Sequence, residues 1–395
     1  MKTNIPLNNV AHNQFAGYRL LVSLLCVLFI LSGRSNAQDF TPVRNGVEYA
    51  AVTREISGQK VNINLLRLDL RKVRLDVVHA FDSILGTEPT SSIAKRHGAI
   101  AAINAGFFRL DTSPFAGDPA GVLQINGKLL SESNNGRVQL LIENKPRQTD
   151  VFIARLRLTE KIRMGLETIE LTGINRERKQ EDLIMYTPEF GRTTLTNNDG
   201  VEVFVSKYRI SGIKKDLGDA IIPSDGFVLS GTGKYRDWLL NGATRNDLVT
   251  YVRHADGLPA DVMGDPMTYP SEWDIVGGVP RLINNGKIEI DWEAEKTTRS
   301  FVETRHPRTA VAILKDGRFL MITVDGRSES SGGIGLQDLA EYLLSLGAVD
   351  AMNLDGGGST TMYLDGKVVN HPSDKEGERK VSDAIIVTPR IRAKN

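Results

Sequence analysis

Hydrophobic and polar positions alternate in short runs along the first part of the chain. Val61-Asn62-Ile63-Asn64-Leu65 switches at every residue, and Val73-Arg74-Leu75-Asp76-Val77-Val78 nearly does. A period of two lines one face of a strand, so both read as half-buried β-strands. Ser91 to Gly98 predicts a short helix, with serine at its start and Gly98 as its stop. Ala99 to Ile103 is a continuous apolar run of the buried-strand type, and it delivers Asn104-Ala105-Gly106-Phe107-Phe108 at its end.

Between about 140 and 300 the pattern weakens. Gly200 to Val205 is strand-like, and the charge run Asn175 to Asp182 reads as a solvated loop rather than a binding site. No repeat or linker marks a boundary, so this region is expected to elaborate one domain. After 300 the pattern is regular. Thr309–Leu314 and Arg318–Val324 predict a hairpin turning on Lys315-Asp316-Gly317. Leu336, Leu339, Leu343 and Leu346 share one face of a helix that Gly347 ends. Ala348 to Leu354 predicts a strand, and Met362 to Val369 another hairpin. The expectation is an α+β fold: one large domain of mixed β-sheet with a few packed helices.

The N-terminus changes this picture. Leu20 to Leu31 is apolar, preceded by Lys2 and Arg19 and followed by Ser35-Asn36-Ala37. A basic start, a short apolar core and small residues make a secretory signal peptide, cut after Ala37. Residues 1–37 are thus expected to be removed and 38–395 to form the exported domain, secreted or periplasmic, with no stable membrane insertion. The single cysteine, Cys26, leaves with the signal, which excludes a disulfide, a thiol nucleophile and a thiolate metal site. No basic stripe recommends nucleic acid as a partner.

Candidate chemistry concentrates at Asn353-Leu354-Asp355-Gly356-Gly357-Gly358-Ser359-Thr360-Thr361. A nucleotide phosphate loop needs a lysine before the hydroxyl residue and a helix after it, and both are missing. Two readings remain. One is a tight turn. The other is a nest of glycine amides holding an anion, with Ser359 and Thr360 as extra donors and Asp355 as acid, base or nucleophile. Polar, glycine-flanked strand ends recur at Val324-Asp325-Gly326-Arg327, at Asn104 to Phe108 and at Ile275 to Pro280. His306 and His371 stand beside prolines, but no metal-ligand spacing accompanies them. No cofactor is called for, and a structural Ca²⁺ on loop carboxylates stays open.

In this order, NAGFF, HPRTAVAI, TVDGRSESSGG, LGAVDAMNLDGGGSTTMYLDG and HPSDKEGERKVSDAI resemble the phosphodiester glycosidase family, from about Val47 to Val387. The resemblance implies hydrolysis of a sugar 1-phosphodiester, with a phosphorylated carbohydrate as the partner. It further implies that Arg308 grips the phosphate as a bidentate fork, and that Gly356, Gly357, Gly358, Ser359 and Thr360 bind its other oxygens. Asp325 and Asp355 would face the anomeric carbon, and Asn104 and Asp383 would bind sugar hydroxyls or orient a carboxylate. Glu132 and Arg379 are reserves. For Arg308 an ion pair with Asp325, and for Asn104 a strand-end cap, are the competing structural readings. A phosphodiesterase breaking P–O, or a non-catalytic carbohydrate-binding protein, would share these residues.

Overall fold

The computed structural model describes Met1, residues 39–258 and residues 269–390. The expected signal peptide and its cleavage site lie outside these residues. Among them, strands dominate and only four α-helices occur: Thr90–Arg96, Lys234–Gly242, Arg299–Glu303 and Leu336–Ser345.

The main sheet has eight strands. Its centre runs Gln59–Leu68, Phe319–Val324, Arg308–Leu314, Ala348–Asn353, each antiparallel to the next. These strands read as near-continuous apolar runs because both faces are buried. Val311, Met321 and Met352 point into the largest core cluster, shared with Leu75, Ile103 and Ile385 of a second sheet. Ala310, Ala312, Leu320 and Ile322 point the other way, under the helix Leu336–Ser345. That helix places Leu336, Leu339 and Leu343 fully inside. Each such leucine contributes about 2 kcal/mol of apolar burial. Gly347 ends the helix at φ +88°, a conformation that a side chain would oppose.

The second sheet orders Lys367–Val368, Met362–Leu364, Ala101–Asn104, Asp383–Pro389 and Val73–His79. The weakly patterned middle of the chain forms three further sheets around Thr149–Ala154, Arg157–Met164 and Gly226–Gly231. Residues from Val47 to Val387 share the largest core cluster, and the middle region supplies Ile142, Ile184 and Val228 to it.

Three expectations need correction. Of the pairings between named strands, one alone is parallel, the two-residue contact of Gly173–Ile174 with Leu183–Tyr186, so the sheets are almost wholly antiparallel. The short helix starts one residue early, behind Pro89, and no serine caps it. Instead the Glu378 carboxylate accepts from Ser91 N–H and Oγ–H, at 3.2 and 2.8 Å. The charge run is a loop exposed at Lys179 to Glu181, but its two ends are drawn into the fold. Arg176 donates to Glu132 at 2.6 Å and Asp182 at 2.8 Å, so Glu132 is tied up here.

Candidate active site

Antiparallel pairing sends Phe319–Val324 and Ala348–Asn353 out at the edge where Arg308–Leu314 enters. Val324 lies opposite Arg308, and Asn353 opposite Ala310. Asp325 and Asp355 therefore leave the sheet on either side of Arg308, from strands roughly 10 Å apart at two strand spacings.

Asn104 sets the floor. Its Oδ1 accepts from Thr309 Oγ1 at 2.8 Å and Thr361 N–H at 3.1 Å, and its Nδ2 donates to Asp355 O at 2.7 Å. It is fully buried, so the expected contact with a sugar hydroxyl is replaced by a clamp on the loop that carries Asp355. Ala105 continues the clamp: its carbonyl accepts from Asp355 N–H at 3.0 Å, and its N–H donates to Asp383 O at 3.2 Å. Asp383 is equally enclosed. Gly106 N–H and Ser382 Oγ–H donate to its carboxylate, each at 2.5 Å. It does not reach a substrate directly. Its charge instead acts on Asp355.

Asp355 is half-buried. Burial pushes its carboxyl up to about 6, with Asp383 adding to the push and Arg379 opposing it. Gly356 N–H donates to its Oδ1 at 3.0 Å. Asp325 is only 6% exposed, and burial raises its carboxyl too. Two donors on Oδ1 resist that rise: His371 N–H at 3.0 Å and Asn370 Nδ2 at 3.2 Å. Asn370 also donates to Thr360 O at 3.0 Å and accepts from Met362 N–H at 2.7 Å, so one side chain ties Asp325 to the glycine loop. Sequence reasoning missed Asn370. Its signal was the end of the predicted hairpin, where a half-buried amide holds three partners.

The glycines fold as a single 3₁₀ turn, Gly357–Ser359, rather than as an open nest. Gly356 N–H is engaged by Asp355, and Gly357 N–H donates to Pro307 O at 2.8 Å. Among the described residues Gly358 N–H alone of the three has no partner. Ser359 and Thr360 turn inward and are sealed from solvent, which removes them as direct ligands. Ser359 Oγ makes no well-formed hydrogen bond, yet it is near enough to Asp355 to favour its charged form.

Arg308 is not a free fork either. It is 2% exposed, donates to Phe301 O at 2.7 Å, Thr304 O at 2.8 Å and Ile334 O at 3.3 Å, and lies over the Phe301 ring at 5.0 Å. The alternative ion pair with Asp325 is absent as well. Carbonyls hold this guanidinium without neutralising it, and burial with the nearby Arg327 presses its pKa down to about 10. It remains a cation at neutral pH.

Arg327 is the arginine that sequence reasoning overlooked, although VDGR was among the motifs. It adopts φ +59°, unusual for a residue with a side chain. Among the described residues its one hydrogen bond runs from Nη2 to His306 Nδ1, at 3.5 Å. Burial, then Arg308 and Arg327, lower the His306 pKa, which keeps the ring neutral. A Cβ on Gly357 would stand 3.0 Å from Arg327 Nη2, so glycine there lets the arginine lie against the turn. On the other flank, Arg379 pairs with Asp374 at 2.8 Å, directly over Gly358. The edge thus joins two carboxyls to two arginines, Arg308 and Arg327, that have no acid partner among the described residues.

Comparison with known proteins fits this edge. Residues 196–388 match the family described as phosphodiester glycosidase. That stretch, just under half of the chain, is similar to the phosphodiester glycosidase family. Arg308, Asp325, Asp355, the glycines and Asp383 all fall inside the match, and Asn104 falls before it.

Among curated relatives, the N-acetylglucosamine-1-phosphodiester alpha-N-acetylglucosaminidase of Bos taurus is 40% identical over 109 residues, 25% of this chain and 20% of that protein. An uncharacterized prophage-derived protein of Bacillus subtilis is 41% identical over 95 residues, 24% of this chain and 15% of its own length. The chain therefore matches a fifth or less of these relatives. A crystal structure of a hypothetical protein from Synechocystis shares the fold. Its TM-score is 0.74 at 23% identity, over 90% of this chain and 64% of that one.

Proposed function

We propose that this chain hydrolyses sugar 1-phosphodiesters at the glycosidic C–O bond, releasing the sugar and a phosphomonoester. The observation that carries the reading is the meeting, at one sheet edge, of two carboxyls with two cations that lack acid partners. A phosphodiester anion supplies the missing negative charge. Arg327 is the exposed donor for it, and the buried Arg308 adds field from behind. The activity for which the bovine relative is named supports the choice of substrate class.

Water adds to the anomeric carbon, the bond from that carbon to the phosphate oxygen breaks, and the phosphomonoester leaves with the bonding pair. Its low basicity makes it a tolerable leaving group once Arg327 offsets the charge it carries away. Asp355, anchored at Oδ1 by Gly356 N–H, offers Oδ2 to the carbon or to the attacking water. Asp325, steadied by His371 and Asn370, offsets the positive charge that develops on the ring. Asn104 and Asp383 position Asp355 without touching the sugar. The signal-like N-terminus supports export, and exposed phosphodiesters of cell-envelope glycans suit an exported enzyme.

The test is a panel of defined sugar 1-phosphodiesters. Wild type should liberate reducing sugar from at least one. Asp355→Asn and Asp325→Asn should each lose about 10³-fold in kcat, as for removal of a base or nucleophile, and still bind phosphomonoester. Full turnover by the double variant would overturn the assignment.

A further inference from the structure

The edge that would take the substrate phosphate carries one carboxylate that the cleavage does not use. Asp374 stands on the loop that begins at Asn370, and that loop is tied down at both ends. Asn370 Nδ2 donates to Asp325 Oδ1 at 3.2 Å and to Thr360 O at 3.0 Å, and the Glu378 carboxylate accepts from Ser91 Oγ–H at 2.8 Å. Between these anchors Gly377 N–H donates to Asp374 O at 3.0 Å and closes a tight turn. Arg379 then grips the Asp374 carboxylate with Nε at 2.8 Å and Nη2 at 3.1 Å. The pair lies on Gly358, where a Cβ would collide with both Asp374 Oδ1 and Arg379 Nη2. Each side chain keeps about three-tenths of its surface open, 31% for Asp374 and 27% for Arg379, so a ligand at the turn meets them.

Arg327 lies against Gly357, the adjacent residue, with Nη2 3.0 Å from where a Cβ would stand. Neighbouring Cα atoms are about 3.8 Å apart, so an anion held there by Arg327 lies within roughly one Debye length of Asp374, about 10 Å at 0.1 M salt. Partly exposed ion pairs add little to stability, which leaves the placing of this one over the turn to be explained. Charge separates substrate from product. A phosphodiester carries one negative charge, whereas the phosphomonoester it becomes carries nearly two above pH ~7, because its second pKa is about 6. The arginines attract both. A fixed carboxylate beside them penalises the second charge, and by holding Arg379 it withholds a further cation from it.

Resting on the proposed cleavage, we infer that Asp374, clamped to Arg379 over Gly358, is a specificity-determining residue that discriminates against the doubly charged phosphomonoester and spares the singly charged diester. It lowers the affinity for phosphomonoesters as competitors and speeds the departure of the product.

Titration calorimetry of the full chain with methyl phosphate and dimethyl phosphate tests this, since the two probes differ in charge and hardly in size. Coulomb energy scales with ligand charge. Asp374→Asn should tighten methyl phosphate at least sixfold at pH 8 and dimethyl phosphate no more than threefold. Arg379→Gln leaves Asp374 uncompensated and should act in the opposite direction, weakening methyl phosphate more than dimethyl phosphate. At pH 5 both probes are singly charged, and each variant should change the two alike. Asp325, Asp355, His306 and His371 around the site, and Lys375, Glu376 and Glu378 on the loop, meet both probes, so the ratio of the two affinities isolates the second charge. Equal changes for both probes at pH 8, or an unchanged affinity for methyl phosphate in Asp374→Asn, would overturn the inference and leave the phosphate site standing. Failure of wild type to bind either probe would sink the phosphate site itself, and this inference with it.

Discussion

At the residue scale, function and stability oppose each other at Asp355. The folded chain holds its proton up to about pH 6, whereas an unfolded aspartate releases it near 3.9. The folded state thus binds that proton more tightly, and its stability falls as pH rises between those values. Asp355→Asn should therefore melt above wild type at pH 7 to 8, with the gap closing below about pH 4, while kcat is lost. A variant that melts well below wild type at neutral pH would make Asp355 a structural cap instead. If the carboxylate form works, kcat should also rise with pH through about 6 and lose that limb in Asp355→Asn. Arg308 makes the opposite prediction. Its guanidinium bridges three carbonyls of two segments, so Arg308→Met should leave those acceptors unpaired and lower stability by about 3 kcal/mol, measured by urea unfolding. Arg327→Gln should weaken phosphate at nearly unchanged stability. Sequence alone could not rank these two arginines, because RHPRT and VDGR both place an arginine beside a strand end. Burial separates them, and burial is set by segments far away in the chain.

At the scale of elements, the glycine run answers to its neighbours rather than to a free anion. Gly357 carries φ +61° and admits Arg327, and Gly358 admits the Asp374–Arg379 pair. Gly357→Ala should cost about 1 kcal/mol from backbone strain, and should weaken phosphate through the displaced Arg327. Gly358→Ala should instead push the Asp374–Arg379 pair off the turn, and the kinetic pH limb of Asp355 should shift upward as Arg379 withdraws. Equal effects of both substitutions on phosphate affinity would contradict this division. Periodicity made the supporting elements readable. The leucine spacing of 336, 339 and 343, the hairpin at Asp316-Gly317 and the apolar run ending on Asn104 depend on local pattern, and each lies where the pattern puts it. The inward turn of Ser359 and Thr360 was not readable, since a strand end does not declare which way its hydroxyls face.

At the scale of the whole molecule, one antiparallel framework gathers residues from 104 to 383 onto a single edge. Sequence order hid this for Asn370, whose bond to Asp325 spans 45 residues, whereas Asn104 and Asp383 were already among the candidates. Among the described residues, no group of three or more His, Cys, Asp or Glu is disposed to hold a metal ion. Turnover should persist in transition-metal chelators and thiol-blocking reagents, and activity lost to a chelator and restored by Zn²⁺ would refute that. The central claim is that water attacks the sugar carbon and not the phosphorus. Hydrolysis of a sugar 1-phosphodiester in ¹⁸O-water, read by mass spectrometry, tests it most directly. The account predicts label at the anomeric oxygen of the released sugar and none in the phosphomonoester. Label in the phosphomonoester would contradict it.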